Sequence, residues 1–444
     1  MNLKQMTFRS ARWNVLRLVI VTLLQIIQLG VLARFLEPTH FGEIAVVMIT
    51  LMFLEILSQT GVDLHVVRTG GSVSDLLDGA WSLQVVRGIA LAGLLVALAG
   101  PIATYQQSDR LFGLLLLVAL VPLLDGLRSV GPLLLARDLQ QGRIVVAEVV
   151  VMGVSVLTSL GLAWALRSPW ALALNTVSFS VLKTVSSYVV HPHRPRFTLA
   201  WGTLRPALRF GVHVNLAMTS AYVLISADKF ILGRLYGHEQ LGLYERAFLL
   251  ANVAVYYLPR FLSATIYPSF SRLAETPDRF QHHTRRYLFL LVIGFTLFPI
   301  ALAVAAGPVY DLAYGASLED GLPLFRLLLF HASFSGIATG ITTLFVLLGR
   351  AHLYLASNLI QLGALLIFFP MALARGSLEA VCVAMSAGAL VGLLAVVAFA
   401  ARGALDPQAR ASSREPAAAE PRDADASAAP RPSAAPSAPA TVRG

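Results

Sequence analysis

Apolar residues run along this chain in blocks, each closed by a short polar segment. A membrane-crossing helix needs about 20 mainly apolar residues. Twelve blocks reach that length, at roughly 14–33, 41–61, 80–103, 111–135, 143–166, 169–190, 208–233, 241–266, 286–308, 322–348, 352–374 and 377–401. The pattern predicts an all-α polytopic membrane protein. Several blocks carry Gly or Pro interruptions, at Pro122, Gly131-Pro132, Gly294, Pro299 and Pro370. Breaks of this kind are tolerated where neighbouring helices or a wet cavity satisfy the freed backbone groups. After Arg402 the pattern stops. Residues 403–444 are Ala, Pro, Ser, Arg and acidic residues without apolar periodicity, which predicts a disordered tail.

The blocks also repeat. Leu32-Ala-Arg34-Phe-Leu-Glu-Pro-Thr-His-Phe-Gly42 matches Leu232-Gly-Arg234-Leu-Tyr-Gly-His-Glu-Gln-Leu-Gly242, with Leu, Arg and Gly in register 200 residues apart. Ala99-Gly-Pro101 recurs as Ala306-Gly-Pro308. Arg110-Leu-Phe-Gly-Leu recurs as Pro323-Leu-Phe-Arg-Leu, and Leu135-Ala-Arg137 as Leu348-Gly-Arg350. Repeats of this size in an apolar chain point to a two-lobed transporter. Six spans per half give both halves the same orientation, so the repeat is parallel, with its axis along the membrane normal. The predicted organisation is a six-helix bundle over 1–190, a basic connector over 191–207 and a second six-helix bundle over 208–402, around a central cavity. A cytoplasmic tail over 403–444 completes it.

Composition agrees with this picture. The chain is 57% hydrophobic and 13% charged, where soluble domains carry about 25% charged residues. The net charge of +10 does not indicate nucleic acid, because the basic residues lie between apolar spans and not on one polar domain. They alternate instead. With the N-terminus in the cytoplasm, the inner loops hold Arg68, Arg137, Arg143, Arg194, Arg196, Arg205, Arg272, Arg279, Arg285 and Arg286. The outer loops then hold only Arg34, Arg110, Arg167, Arg234 and Arg375. The positive-inside rule therefore places both termini in the cytoplasm. The basic N-terminal segment is expected to be an uncleaved first helix, because no small-x-small cleavage site precedes Arg34. Cys382 is the one cysteine, so there is no disulfide framework and no cysteine metal site. His282-His283 lack metal-ligand company, and no phosphate-cradling glycine loop is present. Neither a cofactor nor enzymatic chemistry is expected.

Polar residues inside the spans are the candidate functional groups, because a charge at the bilayer centre usually faces a cavity or a partner. In the seventh span, Asn215, Thr219, Tyr222, Ser226 and Lys229 are spaced 4-3-4-3 and share one helical face. Asp228 lies about 100° off that face. The first span has a looser stripe in Asn14, Arg17, Gln25 and Gln28. Two facing stripes would line a central cavity; the alternative is that they only hydrogen-bond between helices. Lys229, Arg128 and Arg260 are candidate cations for a pyrophosphate, with snorkelling or pairing as the alternative. Arg246 can pair locally with Glu245, Asp125 with Arg128 one turn away, and Lys183 can snorkel. Glu55, Glu148 and Asp228 are candidate ion-coupling carboxylates, with structural pairing as the competing role. His331 is expected to be a satisfied core histidine.

The run Ala227-Asp228-Lys229-Phe-Ile-Leu-Gly233, then Leu241-Gly-Leu-Tyr244 and Tyr267-Pro268-Ser-Phe-Ser, resembles the Wzx-type oligosaccharide and polysaccharide flippases. These belong to the multidrug/oligosaccharidyl-lipid/polysaccharide exporter superfamily. Pro132-Leu-Leu-Leu-Ala-Arg137-Asp-Leu and Glu148 in the first half add to the likeness, which is greatest with the colanic-acid-type branch and covers residues 1 to about 402. The resemblance implies a V-shaped pair of six-helix bundles. It also implies transport of an undecaprenyl-pyrophosphate-linked glycan to the outer leaflet of the bacterial inner membrane, with membrane lipids and a downstream glycan polymerase as neighbours. An ion-coupled drug antiporter on the same architecture is the alternative; its cavity should be more acidic and aromatic. A membrane-bound glycan polymerase or ligase usually needs a long catalytic outer loop, and the longest outer loop here, about 309–321, is short.

Overall fold

The computed structural model describes residues 3–59, 74–137, 141–198, 218–220, 222–252, 277–314 and 320–405. These residues form helices and short connections, with no strand among them. The apolar blocks become the helices Leu3–Phe35, Pro38–Leu57, Ser74–Gln106, Gln141–Leu166, Pro169–Val190, Pro277–Val304, Leu322–Leu347, Ala351–Ala374 and Leu378–Phe399. Seven helices among the described residues are long and apolar enough to cross a membrane. Large apolar side chains stand exposed on their outer faces, among them Leu157, Val304 and Leu366. In water such surfaces would have to be covered; in a bilayer they meet hydrocarbon.

The fourth block is divided into Asp109–Val118, Leu120–Gly126 and Gly131–Arg137. Pro122 and Gly131-Pro132 weaken the helix there, and side chains from two neighbouring helices accept the consequence. Thr184 donates to the Leu124 carbonyl at 2.8 Å, Tyr188 to Leu127 at 2.7 Å and Gln84 to Asp125 at 2.5 Å. The expected breaks at Gly294, Pro299 and Pro370 do not occur. Pro299 lies inside Pro277–Val304 and Pro370 inside Ala351–Ala374, both continuous. A proline inside a helix frees one carbonyl and crowds the preceding turn, but in a membrane-spanning helix neighbouring groups and small local adjustments accommodate it.

Residues 222–252 are helical on both sides of Gly237, whose φ of +83° reverses the chain. The reversal follows from contacts between Asp228 and Tyr244, 16 residues apart, which a straight helix would hold about 24 Å apart. The seventh and eighth spans therefore form a helical hairpin. Spans 208–217 and 253–266 lie outside the described residues.

One large apolar cluster joins residues of both halves, from Leu32, Val46 and Leu114 to Tyr244, Tyr314 and Phe325. Two smaller clusters each stay within one half, one around Phe280, Phe295 and Phe345 and one around Leu77, Ala80 and Val130. The shared cluster lies at the end of the molecule that carries the turns near 36, 107 and 237.

Candidate functional site

The two halves meet through their repeated elements. A Cβ on Gly42 would collide with the carbonyl oxygen of His238, and a Cβ on Gly242 would collide with that of Pro38. Gly42 and Gly242 are repeat equivalents, and so are Pro38 and His238. Each glycine therefore lies on the equivalent backbone of the other half, which is the self-complementary contact of a local two-fold axis. Equivalent turns can touch in this way only if both repeats place them at the same end of the molecule, so the repeat is parallel here.

Other contacts extend this seam. Gln106 donates to the Phe230 carbonyl at 3.0 Å, and Tyr105 stacks on Phe230 with centroids 5.6 Å apart. Arg34 donates to the Leu312 carbonyl at 3.2 Å. Tyr222 reaches the Ile49 carbonyl at 3.3 Å. At the centre is Arg246, fully buried, whose Nη2 donates to the Leu36 carbonyl at 2.6 Å. Its guanidinium lies 4.3 Å from the Phe41 ring centroid and 6.0 Å from that of Tyr314, and Tyr314 donates to the Arg246 carbonyl at 2.8 Å. Arg246 does not pair with Glu245, as its sequence neighbour suggested. Adjacent residues on a helix point about 100° apart, and this rotation sends Arg246 into the seam and Glu245 into its own half.

Lys229 is 5% exposed. Its ammonium lies 3.0 Å from Glu245 and 3.8 Å from the centroid of the Phe248 ring. Asp228 is also buried and accepts a hydrogen bond from Tyr244 at 2.5 Å. Lys229 was expected to serve a pyrophosphate, to snorkel or to pair; its ion-pair partner is Glu245, across the hairpin. His331 is a core residue as expected, with Nδ1 3.2 Å from the Met385 carbonyl and its ring beside Phe248.

The other candidates separate into groups. Gln28 donates to Ser159 at 2.8 Å and Arg17 pairs with Glu148 at 2.8 Å. Much of the first-span stripe therefore binds the helix Gln141–Leu166 in its own half, the helix-packing alternative. Gln25 is exposed and Ser226 buried. Glu55 is grouped electrostatically with Asp125, Arg87, Lys183 and Arg128, a mixed-charge cluster in the first half. Asp125 there accepts from Ser180 at 2.8 Å and lies 4.0 Å from Lys183, which takes the place expected for Arg128; Arg128 itself is exposed. Asn215 and Arg260 lie outside the described residues.

A family model described as "Polysaccharide biosynthesis protein" matches residues 31–321. The chain belongs to this family. An uncharacterized membrane protein in the cps region of Klebsiella pneumoniae is 22% identical over 377 residues, covering 83% of this chain and 76% of that protein. The lipopolysaccharide biosynthesis protein WzxC of Escherichia coli (strain K12) is 22% identical over 337 residues, covering 74% and 67%. The lipid II flippase MurJ, in an inward closed conformation, superposes with a TM-score of 0.68 at 13% identity, covering 90% of this chain and 87% of that one. A multidrug resistance MATE family transporter, inward-facing, gives 0.58 at 14% identity, covering 90% and 98%. The fold of this multi-pass membrane protein is the one MurJ and the MATE transporters share.

Proposed function

We propose that this protein is a flippase for an undecaprenyl-pyrophosphate-linked oligosaccharide, the repeat unit of a surface polysaccharide. It moves that unit from the cytoplasmic to the outer leaflet of the bacterial inner membrane, where a glycan polymerase would receive it. The observation that carries the proposal is the two-fold seam. Two parallel halves that close on each other at one end, through equivalent turns, can part there and expose a path between them. Membership in a polysaccharide biosynthesis family supports the cargo class, as do relatives named for lipopolysaccharide biosynthesis and succinoglycan transport.

The proposal keeps 1–190 and 208–402 as the two lobes, with 191–207 as connector and 403–444 as tail. With both termini in the cytoplasm, the seam lies at the outer end, so the described conformation is shut toward the outside. Arg128, exposed beside Glu55, is the cation proposed to meet the diphosphate first. Lys229 serves the diphosphate only after giving up Glu245, and Arg260 and Asn215 complete the proposed set. Of the carboxylates, Glu55 is the proposed ion-coupling group. Glu148 is taken by Arg17 and Asp228 by Tyr244.

The test is deletion of the gene followed by extraction of lipid-linked glycans from inner-membrane vesicles. The expected result is accumulation of one undecaprenyl-pyrophosphate oligosaccharide on the cytoplasmic leaflet, reversed by the intact gene. Unchanged lipid-linked glycans with new sensitivity to drugs would overturn the proposal in favour of an ion-coupled antiporter.

A further inference from the structure

A cavity of about 300 Å³ lies away from the seam, lined by Gln281, Thr284, Arg285, Leu288 and Leu405. The first four recur at i, i+3, i+4 and i+7 and so share one face of the helix Pro277–Val304. Leu405 comes from the far end of the last helix, where Arg350 donates to the Gly403 carbonyl at 2.7 Å. Thr284 is 6% exposed, and its hydroxyl has no hydrogen-bond partner among the described residues. Buried polar groups are rarely left this way, so this hydroxyl has a hydrogen bond still to make. Arg285 is exposed one residue further on.

The position within the helix narrows the ligand class. At the cavity the sequence is Arg279-Phe-Gln-His-His-Thr-Arg-Arg286, strongly basic. Beyond it, Phe289, Leu290 and Val292 stand exposed on one of the helices long and apolar enough to cross a membrane. The cavity therefore straddles the change from headgroup to hydrocarbon, with donors and a cation at one end and Leu288 at the other. We propose that this cavity binds the phosphate headgroup of an anionic membrane phospholipid. Thr284 and Gln281 donate to phosphate oxygens, Arg285 supplies the counter-charge, and Leu288 and Leu405 receive the start of an acyl chain. Basic pockets beside transmembrane helices bind anionic headgroups through the same combination of charge and apolar wall. The proposal does not depend on the flippase assignment.

Native mass spectrometry of the full chain in detergent tests it, with added phosphatidylglycerol, phosphatidylcholine or inorganic phosphate. The expected result is retention of phosphatidylglycerol over phosphatidylcholine, weakened about tenfold by Arg285→Gln through loss of one charge-assisted bond. Thr284→Val should weaken it further. Arg285 is exposed, so the single variant remains informative even if Thr284→Val unfolds. Undiminished phosphatidylglycerol retention by Arg285→Gln would overturn the assignment, as would equal retention of phosphatidylcholine. Equal competition by inorganic phosphate would replace the lipid with a free anion and overturn it as well.

Discussion

Lys229 and Glu245 stand eight residues before and eight after Gly237, and residues equidistant from a tight helical turn meet across the hairpin. Their contact leaves neither charge uncompensated in a buried site. Removing one partner of such a pair costs about 3–5 kcal/mol, because the other charge remains buried and unpaired. Glu245→Gln and Lys229→Gln should therefore each lower the unfolding temperature in detergent, and the double variant should recover most of the loss. Two additive losses would show that the pair is not coupled. The unusual residue, a lysine beside an aspartate in an apolar helix, was legible in the sequence. Its partner was not, because spacing along one helix offers Asp228 or a ligand and says nothing of the returning helix. The equal spacing about Gly237 was the available signal. Arg246 was hidden for a similar reason: its acceptor, the Leu36 carbonyl, belongs to an element 210 residues away that no local pattern names.

At the scale of elements, the apolar blocks foretold nearly every helix, because length and hydropathy alone decide what spans a bilayer. They foretold the breaks less well. Pro122 and Pro370 look alike in sequence. The first lies in a block with glycines at 126 and 131, and Gln84, Thr184 and Tyr188 bond carbonyls at the end of the short helix Leu120–Gly126 that contains it. Those partners come from other helices, so only the assembled structure distinguishes the two prolines. Packing distinguishes glycines in the same way. Gly42 and Gly242 each lie against the backbone of the opposite half, while Gly363 has open space where a Cβ would go. Gly42→Ala and Gly242→Ala should each lower the unfolding temperature, since a Cβ against backbone forces the elements apart. Gly363→Ala should be neutral or stabilise by up to about 1 kcal/mol, the helix propensity difference. Equal tolerance at all three positions would show that the seam is looser than described.

At the scale of the molecule, the sequence match between residues 32–42 and 232–242 announced two equivalent halves, and six spans in each gave their shared direction. It did not announce that the equivalent turns touch each other. A repeat defines a symmetry operation, and where the axis passes depends on how the halves dock. The docking found here gives the account its central claim: the halves close at one end through a two-fold seam and must separate there for cargo to leave. Arg34 and Leu312 face each other across that seam and both are exposed, so cysteines at these positions accept a short reducible cross-linker. Arg17 and Glu148 form the matching pair within one half. The decisive measurement is glycan export by cells carrying each cysteine pair, with and without the linker, in a Cys382→Ser background. Linking residues 34 and 312 should abolish export and reduction should restore it, while linking residues 17 and 148 should leave export near the unlinked rate. Undiminished export with residues 34 and 312 fully linked would contradict the account, because cargo would then be leaving without the seam opening.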